Sequence, residues 1–87
     1  MGHYMIKIYG NEMCSFCLRA KRLADSYGLD YTWHDVDEPD IKEELLSKIS
    51  SYKTIPQIFW HDRHIGGYEQ FASEIENTAG GFGDGKL

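Results

Sequence analysis

Only two cysteines occur in the 87 residues, Cys14 and Cys17, and one close pair cannot be the disulfide framework that holds small secreted domains together. No apolar run approaches the roughly 18 residues needed to span a bilayer. Met1-Gly2-His3-Tyr4 also lacks a basic stretch followed by an apolar one, so neither membrane insertion nor export is expected. Basic residues are scarce, nine against fourteen acidic ones, for a formal charge of −5. Among them only Arg19, Lys21 and Arg22 cluster, so a phosphate backbone would be repelled and nucleic acid is not an expected partner. No internal repeat is visible. What is present, 41% hydrophobic and 26% charged residues, is the composition of a chain that folds, and this length supports one domain with one small core.

Tyr4 to Tyr9, apolar with β-branched and aromatic members and closed by Gly10-Asn11, reads as a buried strand. From Ser15 the period becomes helical, with Cys17, Ala20, Ala24 and Tyr27 on one face, Leu23 beside them and Gly28 as the stop. Tyr31 to Val36 is a second strand. Asp37-Glu38-Pro39 then opens a helix whose apolar stripe is Ile41, Leu45, Leu46 and Ile49. Ile55 to Trp60 is a third strand begun by a proline, and Arg63 to Gly66 pairs back on it across His61-Asp62. Phe71, Ala72 and Ile75 face inward from a last short helix. After Asn77 the glycine-rich composition predicts a flexible tail, so the domain is expected over 1–78 and the tail over 79–87. Met1-Gly2-His3 reads as an expression remnant, with Met5 as a second candidate start.

Cys14-Ser15-Phe16-Cys17 falls where a strand hands over to a helix. There, free backbone N–H groups and the positive end of the helix dipole stabilise a thiolate, which makes Cys14 the expected nucleophile. Residues at i and i+3 lie about 5–6 Å apart at Cβ, within reach of a disulfide after a small adjustment, so Cys17 can resolve a mixed disulfide on Cys14. The competing readings are two small buried hydrophobes or a zinc site. Zinc needs four ligands, and His3, His34, His61 and His64 offer no second pair at regular spacing; all four read as surface or turn residues. Thr54-Ile55-Pro56 is either an ordinary strand start or a place where Ile55, held extended by the proline, leaves backbone groups for a peptide. Gly66-Gly67-Tyr68-Glu69-Gln70 is either a plain turn or a helix start whose N–H groups can receive a carboxylate.

Taken in order, Cys-Ser-Phe-Cys-Leu-Arg-Ala-Lys, Thr-Ile-Pro-Gln-Ile-Phe and His-Ile-Gly-Gly-Tyr resemble the glutaredoxins, most of all the small dithiol members of bacteria and phages, over Tyr4 to Ile75. The resemblance implies an α/β, thioredoxin-like fold with a four-stranded mixed sheet in the order 2-1-3-4 and helices on both faces. It implies glutathione as reductant, with Cys14 attacking and Cys17 resolving. The Ile55 backbone would pair with the cysteinyl part of glutathione beside a cis Pro56, with Phe16 and Thr54 as further glutathione contacts. Gly67, Tyr68, Glu69 and Gln70 would hold the γ-glutamyl end, and Lys53 or Lys21 the glycyl carboxylate. The expected protein is a cytoplasmic monomer acting on disulfide-containing or glutathionylated clients, ribonucleotide reductase among them. Ser15-Phe16 replaces the usual Pro-Tyr, Glu69-Gln70 the usual Thr-Asp, and Asn11 a common basic residue. Two other roles are compatible with the motifs: a redoxin served by thioredoxin reductase, and a carrier of a glutathione-ligated 2Fe-2S cluster shared between two chains.

Overall fold

The computed structural model describes residues 5–83. Strand β1 (Ile6–Gly10) leads into helix α1 (Ser15–Ser26), followed by β2 (Tyr31–Asp35), α2 (Pro39–Lys48), β3 (Gln57–Trp60), β4 (Arg63–Gly66) and α3 (Tyr68–Gly83). The four strands form one sheet in the order β2-β1-β3-β4. β1 runs parallel to β2, with Ile8 opposite Trp33 and Gly10 opposite Asp35, and antiparallel to β3, with Ile8 opposite Ile58. The parallel pair needs the α1 crossover, whereas β3 and β4 are joined by the tight turn His61-Asp62, whose two residues both take positive φ (55° and 66°). This is the mixed sheet expected from the sequence, and it marks the thioredoxin-like fold.

Alternation along β1 divides the core. Ile6 and Ile8 pack with Ala20, Ala24, Ile58, Trp60, Phe71 and Ile75, a cluster that brings in residues of α1 and α3. Tyr9 points the other way and packs with Val36, Leu45 and Phe59, on the α2 side. The α1 face is narrower than its period predicts, because Tyr27 is exposed, and so is Leu46 of α2. His34 is half-buried rather than a surface residue: its ring stacks on Tyr9, with centroids 4.7 Å apart, and burial lowers the imidazole below its ordinary range. His61 and His64 are exposed as expected; His3 lies outside the described residues.

Two boundaries differ from those expected of the sequence. The ladder of β3 starts at Gln57 rather than Ile55, since Pro56 has no N–H to donate. α2 opens as Asp37-Glu38-Pro39 suggests, with Glu38 as the cap residue, though without a side-chain cap bond, and Pro39 in the first turn; the Asp37 N–H is taken by the Asp35 carboxylate. α3 extends to Gly83, so the expected boundary after residue 78 falls inside a helix. Once a helix is nucleated, each further residue adds a backbone hydrogen bond. A glycine subtracts only about 1 kcal/mol relative to alanine. The rest of the expected tail, 84–87, and the expected remnant at Met1-Gly2-His3 lie outside the described residues.

The Tyr9 hydroxyl donates to the Glu44 carboxylate across the α2 interface. Burial, then this bond, raises the Tyr9 phenol, and the bond from Tyr9 holds Glu44 below the usual carboxylate range. A depressed carboxyl stabilises the fold above its unfolded pKa, and that contribution is lost as the pH falls through the folded value. Tyr9→Phe is therefore expected to cost about 1 kcal/mol at neutral pH and to flatten the acid limb of stability. Urea midpoints at pH 7 and pH 3 check this. An equal drop between the two pH values in both proteins would remove Glu44 from the account.

Candidate active site

The site begins in the turn between β1 and α1. Asn11 organises it three ways: its side-chain oxygen accepts the Met13 N–H at 3.0 Å, its carbonyl accepts the Cys14 N–H at 3.4 Å, and its backbone N–H favours the Cys17 thiolate. Cys14 is the N-cap of α1, in extended conformation, and its Sγ accepts the Cys17 N–H at 3.2 Å. The sulfur thereby satisfies a helix N–H that has no intrahelical partner. Cys14 is half-buried and Cys17 buried, and both are free thiols. Burial first, then the hydrogen bond to Cys14, push the Cys17 thiol up to about 12, against the Asn11 N–H and the Lys21 charge, which lower it.

Cys17 fits only because Gly10 has no side chain. A Cβ there would stand 2.3 Å from Cys17 Sγ and 3.2 Å from the Trp33 ring. From sequence Gly10 reads simply as a strand terminator, and no pattern along the chain marks it as the floor beneath Cys17.

The Thr54-Ile55-Pro56 segment reaches the thiol from β3. The Ile55–Pro56 peptide is cis, and the Cys14 thiol lies 3.5 Å from the Ile55 carbonyl oxygen. Beyond it runs a groove of about 200 Å³ lined by Phe16, Thr54, Ile55, Pro56, Gly67, Tyr68, Glu69 and Gln70. Every groove residue singled out from the sequence is therefore in one place except the two lysines, Lys53 and Lys21. Lys53 lines a neighbouring cavity of about 330 Å³ with Asn11, Asp37, Lys42 and Tyr52, and Thr54 and Ile55 form the wall between the two. Lys42 is a lining residue that sequence reasoning misses, since nothing in the α2 pattern marks it. Lys21 lines neither cavity; its Nζ sits 3.9 Å over the Trp33 ring. At the far end of the groove the Gly67 N–H donates to Gln70 Oε1 at 2.9 Å, so the start of α3 is closed by its own side chain. Phe16 forms the near rim, exposed, with its ring 6.0 Å from that of Tyr68.

Among the described residues no group of three or more His, Cys, Asp or Glu is placed to hold a metal ion, and no helix is long and apolar enough to cross a membrane. A dithiol at a helix N-terminus, facing a cis-proline segment across the sheet, defines a thioredoxin-like thiol–disulfide oxidoreductase. Comparisons with known proteins narrow the class. The glutaredoxin family model matches residues 6–65. Glutaredoxin 3 of Escherichia coli is 40% identical over 62 residues, covering 71% of this chain and 75% of that protein. Glutaredoxin 1 of the same organism is 37% identical over 78 residues, covering 82% and 92%. Among solved structures, reduced Escherichia coli glutaredoxin superposes with a TM-score of 0.72 at 34% identity, covering 86% of this chain and 96% of that one. A buckwheat glutaredoxin–glutathione complex gives 0.68 at 28% identity, covering 85% and 69%. The chain belongs to the glutaredoxin family and is a glutathione-dependent thiol–disulfide oxidoreductase with Cys14 and Cys17 as its cysteine pair. Neither the redoxin nor the cluster-carrier alternative is favoured by these likenesses.

Proposed function

We propose that this protein reduces glutathionylated thiols and protein disulfides, with glutathione seated in the groove beside Cys14. The observation that carries the reading is the 3.5 Å approach of the Cys14 thiol to the Ile55 carbonyl, which joins the nucleophile to the groove wall. In the exchange the Cys14 thiolate attacks one sulfur of the substrate disulfide, an S–S bond forms at Cys14, and the departing thiolate takes a proton from solvent. For a protein disulfide, Cys17 then attacks the Cys14 sulfur, closing the Cys14–Cys17 disulfide and releasing the second thiol; two glutathione molecules restore the dithiol and leave as glutathione disulfide. In this reading the Ile55 backbone, beside Phe16, Thr54 and Pro56, pairs with the cysteinyl part. Gly67, Tyr68, Glu69 and Gln70 receive the γ-glutamyl end, and Lys53 the glycyl carboxylate.

The likeness to a glutaredoxin solved with glutathione supports this placement. We further propose a monomer working in the cytoplasm, with ribonucleotide reductase among its clients and the segment 79–87 dispensable. The test is NADPH-coupled turnover of a glutathionylated peptide. Oxidation of NADPH is expected with glutathione plus glutathione reductase and not with thioredoxin reductase alone. Turnover supported only by thioredoxin reductase would overturn the assignment of glutathione.

A further inference from the structure

Cys17 has a chemical problem that Cys14 does not share. It is fully buried, yet to resolve a mixed disulfide it must attack as a thiolate. Lys21 stands one turn further along α1, at i+4, on the same helix face. It is half-buried, and its ammonium is fixed 3.9 Å over the ring of Trp33, within the range of a cation–π contact. That same ring borders the space beside Gly10 that Cys17 also borders, since a Cβ on Gly10 would stand 2.3 Å from Cys17 Sγ and 3.2 Å from the ring. Trp33 thus serves as a platform that holds a long, flexible side chain in a defined position near the buried sulfur.

We propose that Lys21, held by Trp33, is a positioning residue for the resolving step: its fixed positive charge makes the buried Cys17 sulfur competent to attack the mixed disulfide on Cys14. The proposal rests on Cys17 resolving, whatever thiol is bound to Cys14. In that step Cys17 loses its proton to solvent, its sulfur bonds to Cys14 Sγ, and the bond from Cys14 to the bound thiol breaks with the electron pair leaving on that thiol. No outside oxidant or reductant is needed.

The arrangement also times the step. In the resting dithiol, burial first and then the hydrogen bond and charge of Cys14 keep the proton on Cys17, while the Asn11 N–H and Lys21 act in the opposite sense. Once Cys14 is in a mixed disulfide its opposing charge is gone; burial still disfavours the thiolate, and the Asn11 N–H and Lys21 are what remain to offset it. Other neighbours add little charge. Asp35, beside Gly10 in the ladder, has its carboxylate on the Asp37 N–H, Tyr9 and His34 stack on each other away from this core, and Phe71 and Ile75 of α3 are apolar.

The test uses the whole protein and an aromatic disulfide, 5,5′-dithiobis(2-nitrobenzoate). One equivalent of thionitrobenzoate is released by the first attack, and a second when Cys17 closes the ring. Glutathione is absent, so the result does not depend on where glutathione binds. Lys21→Met is expected to leave the first phase unchanged, to slow the second on the order of tenfold, and to move its rate–pH curve to higher pH by about one unit. Lys21→Arg should restore the second phase, and Trp33→Leu should slow it while sparing the first. A second phase of natural rate and pH dependence in Lys21→Met would overturn the proposal. So would failure of Lys21→Arg to restore it in a protein whose first phase is intact, since the side chain would then matter only for packing.

Discussion

Cys14→Ser should bring every exchange activity to background, a loss of about a thousandfold or more, or on the order of 4 kcal/mol of transition-state stabilisation, whereas Cys17→Ser should retain removal of glutathione from a mixed disulfide. The asymmetry follows from the two environments. Cys14 is half-buried at the head of α1 and opens on the groove. Cys17 is enclosed, with its thiol pushed up to about 12 by burial, so it cannot take over an attack on an external substrate. A serine hydroxyl at position 14 could still cap the helix, which leaves the fold intact and makes the loss chemical. In Cys17→Ser, a glutathione molecule supplies the second attack, so turnover of glutathionylated peptide persists while reduction of a protein disulfide stalls as a mixed disulfide visible by mass spectrometry. Equal loss in both variants would mean that the second attack always comes from Cys17.

The second large effect is expected at Gly10. In Gly10→Ala the new methyl would lie 2.3 Å from Cys17 Sγ, a separation that real side chains do not tolerate. The sulfur is fully buried and the Trp33 ring blocks the other side, so either the strand or α1 must move. We expect a destabilisation of about 1–3 kcal/mol, the usual range for overpacking a core, and a Cys14–Cys17 disulfide that closes slowly or not at all. Adding Cys17→Ala should relieve the clash. The double variant is then expected to be more stable than the sum of the two single changes predicts, by more than the few tenths of a kcal/mol within which distant sites add. Denaturant midpoints of the four proteins give the coupling. Strict additivity would show that Gly10 does not support Cys17.

The parts of this protein that are legible from sequence are those set by neighbours along the chain. The apolar runs of Ile6–Tyr9 and Ile58–Trp60 and the three- and four-residue recurrence from Cys17 to Ala24 record backbone periods, and Gly28 and Pro39 carry their backbone preference wherever they occur. For the same reason the sequence alone places the dithiol at a helix start: Cys14 caps the residues that follow it. The three motifs, read together, also locate the fold and most of the groove through their resemblance to a family.

What lies between residues distant in sequence is decided by the sheet. The order β2-β1-β3-β4 makes β1 and β3 neighbours, and only this adjacency carries Ile55 to the Cys14 thiol from 41 positions away. The parallel register of β1 on β2 sets Trp33 opposite Ile8 and Asp35 opposite Gly10, which brings the tryptophan to Cys17 and gives Lys21 its platform. The local pattern contains no information about which face of a neighbouring strand a side chain will meet. That is why sequence reasoning offers Lys21 to an anionic ligand, Tyr27 and Leu46 to the core, and His34 to the surface. Burial and charge at Cys17 are properties of the packed interior, where water is excluded and a single fixed ammonium or backbone N–H acts at short range, and they exist only once β1, β2 and α1 have come together.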